Sequence, residues 1–120
     1  MVLYTARKQL IVASAKRLLL ANTSATNVLV YTVRKTGLFS VQPYAVVENA
    51  ATTLTLSMSW TDPDAGADTY DWATGGSQAV GTAVFSGLLI CAQGGTTITV
   101  SATAGTANNI TVSANIRNGE

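Results

Sequence analysis

The sequence predicts an all-β fold, an antiparallel β-sandwich, and three observations carry the prediction. Apolar residues alternate with threonine and serine over several runs, the period of a strand with one buried face. The runs are short and are separated by Gly/Asn-rich turns. Charged residues make up only 11% of the 120 positions against 48% hydrophobic, which suits a chain that covers much of its surface with hydroxyls or with neighbours.

The elements follow in chain order. Residues 1–20 read as an extended arm or first strand, the strand falling at Gln9-Leu10-Ile11-Val12-Ala13. A helix over residues 6–20, with Leu10, Ile11, Ser14 and Leu18 on a loose stripe, is the alternative. Val28–Val33 is a strand, Arg34-Lys35-Thr36-Gly37 a polar turn, and Leu38–Val47 the next strand. Pro43 lies inside that run and cannot donate a ladder hydrogen bond, so an edge position or a bulge is expected there. Glu48-Asn49-Ala50-Ala51 closes the strand.

From Thr53 to Thr61 the alternation is complete: Leu54, Leu56, Met58 and Trp60 on one face, Thr53, Thr55, Ser57, Ser59 and Thr61 on the other. Gly81–Cys91 is a further extended stretch, turned by Gly94-Gly95. The pentapeptide Ile-Thr-Val-Ser-Ala then occurs twice, at 98–102 and 110–114, around the turn-rich segment 104–109. Matched faces on either side of a turn predict an antiparallel hairpin. Taken together, about eight strands point to a jelly roll, with residues 1–20 as arm or first strand and 21–120 as the sandwich.

Several functions are disfavoured by what the chain contains. It has no histidine, and its carboxylates cluster in a turn without an acid–base counterpart, so no catalytic residues are assigned and no enzyme is expected. Cys91, the single cysteine, follows Leu88-Leu89-Ile90 and reads as a buried thiol acting as a small hydrophobe. No cofactor is expected, since Gly75-Gly76 and Gly94-Gly95 lack the lysine and spacing of a phosphate loop. No membrane-spanning run is present, and Lys16-Arg17 interrupts any signal-peptide core. A chain made in a cytoplasm and used without signal-dependent export is therefore expected. Nucleic acid is not an expected partner, because aromatics do not interleave with the basic residues as a single-strand groove requires.

The net charge of +1 conceals a segregation. Arg7, Lys8, Lys16, Arg17, Arg34 and Lys35 are six of the seven bases, and Asp62, Asp64, Asp68 and Asp71 are four of the six acids. Complementarity between neighbouring copies or with a larger scaffold follows from that pattern; two solvated patches that aid solubility are the plainer alternative. The acidic segment Trp60–Trp72 lacks the spacing of a calcium loop, so ordinary turn chemistry is expected of it and no metal ligands are assigned. Its Tyr70 and Trp72, beside Asp62, Asp64, Asp68 and Asp71, form a surface-contact loop able to stack on a sugar, with Trp60 assigned to the core.

One resemblance sharpens the expectation. Val30-Tyr31-Thr32-Val33-Arg34-Lys35-Thr36-Gly37-Leu38-Phe39-Ser40-Val41 resembles opening strands of small structural proteins of tailed bacteriophages. Leu54–Asp62 is similar to their next strand and acidic turn, and Gly95–Ile116 to their closing hairpin. Phe39 stands where an aromatic is common in that family; Ser40 departs from the usual basic residue. The resemblance implies a jelly-roll virion component, often trimeric, that serves as a head decoration (cement) protein or as a module of head fibres and tails; a capsid decoration protein assembled in the bacterial host cytoplasm is the first reading. The partners are then further copies and the major capsid protein or other virion proteins, with Arg7, Lys8, Lys16 and Arg17 as the anchoring residues. A tail or fibre module that binds host carbohydrate through the Tyr70/Trp72 loop is the second reading.

Overall fold

Two antiparallel sheets pack face to face in the computed structural model, which describes residues 10–118. The strands are β1 (Ile11–Leu19), β2 (Thr26–Thr32), β3 (Gly37–Val47), β4 (Thr52–Asp62), β5 (Gly66–Gln78), β6 (Gly81–Val84), β7 (Leu88–Ala92), β8 (Thr97–Ala104) and β9 (Ile110–Asn118). One sheet runs β1-β9-β3-β6, with β7 also paired to β3; the other runs β2-β8-β4-β5. β6 and β7 pair with successive halves of β3, Tyr44–Val47 and Gly37–Val41. They are two pieces of one interrupted strand. Eight strand positions result, and successive strands alternate between the sheets except at the β4–β5 hairpin, the order of a jelly roll.

The alternation in the sequence sets the core. Leu54, Leu56 and Met58 of β4 and Ile98, Val100 and Ala102 of β8 point inward from one sheet. Val41, Ala45 and Val47 of β3 and Ile110, Val112, Ala114 and Ile116 of β9 meet them from the other. All are nearly sealed from water, and their burial is the main favourable term for a chain without a disulfide.

The repeated pentapeptides do not form the expected hairpin. β8 pairs with β2 and β4, whereas β9 pairs with β1 and β3. They face one another through the core instead of across a ladder. The connection between them is drawn over by bonds to different strands: Gly105 N donates to Thr53 O (2.9 Å), and Asn108 N donates to Leu20 O (2.9 Å). Period 2 specifies which face is buried, and it is silent on which strand lies alongside.

Two further expectations are revised. β3 is an interior strand, held by β9 on one side, so Pro43 is not at an edge. The missing N–H is accommodated in the neighbour, which breaks into β6 and β7 opposite it. There the Gln42 side-chain amide donates to Phe85 O and to Pro43 O. Cys91 is half-buried rather than buried: Ile90 and Ala92 take the inward positions of β7, leaving Cys91 on the outer face opposite Leu38.

Candidate functional site

The residues singled out by the sequence fall on opposite sides of the sandwich. Arg7 and Lys8 lie outside the described residues. Lys16 and Arg17 sit on β1, which among the described residues pairs with β9 alone, and both are exposed. The register shifts between Ala15 and Leu18, Arg17 adopts a left-handed backbone (φ 52°), and its N–H donates to Ser113 Oγ at 2.9 Å. This is a β-bulge that turns two cations away from the ladder. Bulges and charges of this kind keep an edge strand from pairing with another strand.

The acidic group lies on the β4–β5 hairpin, whose strands pair from Thr52/Gln78 to Asp62/Gly66. At its tip Asp62 Oδ1 accepts from Asp64 N (2.8 Å) and Ala65 N (3.0 Å), and Gly66 supplies the positive φ of 83° that returns the chain. Those bonds, that of Ala65 first and of Asp64 second, hold the Asp62 carboxyl below the usual aspartate range against a smaller opposing effect of desolvation. Asp62 therefore serves the turn, as its sequence context suggests. Among the described residues no three acidic, histidine or cysteine side chains converge to hold a metal ion.

Tyr70 and Trp72 belong to a strand, not a loop. Both lie on β5, the edge of its sheet. Their rings meet edge to face, with centroids 5.6 Å apart at 80°. Trp72 is half-buried against the core, and its indole Nε1 donates to Ser86 O at 2.7 Å, tying β5 to the break between β6 and β7. Tyr70, 42% exposed, is the aromatic left open to a partner. Asp71 and Asp68 are exposed on the same strand, and Asp68 Oδ1 accepts from Thr69 N at 2.9 Å. Trp60 packs against the core as expected, beside a shallow groove lined by Ser59, Thr61, Ala67, Asp68, Thr69 and Thr97.

Other surface residues escaped the sequence. Leu89 (59% exposed), Leu38 and Tyr44 stand on the outer face of the β3 sheet, and Ile11 stands on its β1 edge. The Leu88-Leu89-Ile90 run looks wholly buried when read linearly. Its alternation in the fold places Leu89 outward, a signal available only once Ile90 is assigned to the core.

The sequence matches no protein-family model and no curated protein. Solved structures share the fold, two of them from one virus. One is VP2 of infectious bursal disease virus in its subviral particle, with a TM-score of 0.62 at 12% identity over 92% of this chain. The likeness is one of fold. The other, a structure of the infectious bursal disease virus Gx strain, gives 0.55 at 14% identity over the same share. The chain spans 32% of the length of each, so the jelly roll corresponds to one part of those larger viral chains.

Proposed function

We propose that this chain is a non-enzymatic virion structural protein, a bacteriophage capsid decoration protein that trimerises and binds the capsid surface. The observation that carries the reading is the jelly-roll strand order, shared over 92% of the chain with a protein of a viral subviral particle. The low charge and the outward Leu38, Tyr44 and Leu89 agree with a surface that is covered in an assembly. Arg7 and Lys8 are assigned to the particle contact, and Lys16 and Arg17 to the particle or to a neighbouring copy. Each attached copy bridges neighbouring capsid subunits, and attachment through several arms multiplies a weak single contact.

Sedimentation with undecorated capsids tests this. The protein is expected to co-sediment at a fixed stoichiometry and to raise the temperature at which the particles open. A folded protein that stays in the supernatant overturns the reading. The exposed Tyr70 favours a second reading, a tail or fibre module that holds carbohydrate. Tyr70→Ala is the variant for it, because Trp72→Ala would also break the bond to Ser86. Glycan binding that survives Tyr70→Ala removes Tyr70 as the contact, and a wild-type chain that binds no glycan removes this alternative.

A further inference from the structure

The two lateral sides of the sandwich are chemically opposite. On one side the edge strands β1 and β2 lie against each other, with Lys16 and Arg17 exposed on β1. Arg34 and Lys35 close the end of this side, in a groove with Val12 and Tyr31. The other side is formed by β5 and the interrupted β6–β7 strand, joined through Trp72 and Ser86. It presents Asp68 and Asp71; the hairpin tip with Asp64 lies at the same end of the sandwich as Arg34 and Lys35, because the turn after β7 binds both, Gln93 N donating to Thr61 O (2.8 Å) and Gly94 N to Thr36 Oγ1 (2.9 Å). Across a four-stranded sheet the edges are about 14 Å apart, too far for Lys16 and Arg17 to neutralise Asp68 and Asp71 within one molecule. Among the described residues Lys16, Arg17, Asp64 and Asp71 make no ion pair. Each side also offers apolar surface: Ile11 (57% exposed) on the basic side, Tyr70 (42%) and Leu89 (59%) on the acidic one.

We propose that the acidic β5 side of one copy docks on the basic β1–β2 side of a second copy, closing a ring of three. The proposal deepens the decoration reading by naming the surfaces of its trimer, and it rests on that reading for the number three. A three-fold ring needs a heterologous interface, in which each subunit brings two different and complementary patches. An isologous pairing of either side with itself would set like charges opposite each other, which is costly. The bulge at Lys16-Arg17 blocks simple continuation of the sheet from β1, so the contact is made by side chains. The charges set its orientation, and the apolar residues beside them supply the burial.

Sedimentation velocity of the full chain tests the proposal with paired charge reversals. Asp68→Lys with Asp71→Lys, and separately Lys16→Glu with Arg17→Glu, are each expected to weaken self-association by about tenfold or more. The weakening should be greatest at low salt. Combining all four reversals is expected to restore the oligomer, which a mere folding defect cannot do. Circular dichroism on the same samples verifies the fold. Self-association indifferent to both reversals, or a wild-type chain that remains monomeric at high concentration, overturns the proposal. Capsid co-sedimentation reads the decoration role separately: a ring that ignores capsids defeats that role alone, and a monomer that binds them defeats the ring alone.

Discussion

The two sheets contribute alike to the core and unlike to the surface. Inside, Leu56 and Ile98 of one and Val112 and Ile116 of the other are equally closed to water. Outside, the β2-β8-β4-β5 sheet presents Thr53, Thr55, Ser57 and Ser59 beside Thr99, Ser101 and Thr103 in register, and Ser57 Oγ lies 3.2 Å from Ser101 Oγ. These hydroxyls satisfy one another or water. The opposite sheet instead shows Leu38, Tyr44 and Leu89, which gain by being covered. The difference teaches that a common inner code leaves the outer face free to carry function, and that here one face is built to remain wet while the other is suited to a neighbour.

The largest expected effect probes the inner equivalence. Leu56→Ala and Ile116→Ala each remove a fully buried side chain, and each is expected to cost about 2–5 kcal/mol in denaturant unfolding. A near-neutral result in one sheet and a large one in the other would break the picture of a shared core.

Next comes the joint between the sheets. Asn109 is 3% exposed. Its Oδ1 accepts from Asn49 N (2.8 Å) and Ala50 N (3.2 Å), and its Nδ2 donates to Ala50 O (2.7 Å). One side chain thus pins the β3–β4 connection to the β8–β9 connection. Asn109→Ala leaves three backbone groups without their partner and is expected to cost about 1–3 kcal/mol, read as a lower denaturant midpoint. A loss no larger than that of an outer-face substitution would show that water replaces the amide.

The outer hydroxyl face should respond weakly. Thr99→Ala, in the middle of β8, is expected to change stability by less than about 1 kcal/mol and to leave self-association unchanged. A loss of association would place a partner on the hydroxyl face and overturn the division of labour between the two surfaces.

How far the sequence discloses these features depends on whether they are local. The Leu54/Leu56/Met58 face, its threonine reverse and the Asp62 turn were legible, because strand period and turn chemistry involve residues close in the chain. The pairing of β8 and β9 was not: two identical pentapeptides bury identical faces, and the choice between a hairpin and a crossover is made by Gly105, Asn108 and Asn109 binding distant strands. Pro43 likewise announced an irregularity without saying that its neighbour, rather than its own strand, would yield. The acidic and basic groups were visible as runs of charge, but their placement on opposite lateral sides is a property of the strand order. Trp72 looked available for a ligand until the fold supplied Ser86 as its partner.

The smallest effect concerns the turn that closes the β4–β5 hairpin. Backbone N–H donors favour the ionised Asp62 carboxyl, so its folded pKa lies below its unfolded value. The contribution of this group is therefore fully present above the ordinary aspartate range and is lost as pH falls through the depressed folded value. Asp62→Asn keeps an oxygen that can accept from Asp64 N and Ala65 N but removes the titration. The variant should lose slightly in Tm at neutral pH and show a shallower decline on acidification, while the wild-type carboxyl titrates by NMR below an ordinary aspartate. Identical acid limbs for the two proteins would mean that the turn is held by Gly66 and the strand register alone. The hairpin would then owe its shape to the sheet behind it, and the acidic tip would be free to serve only as surface charge.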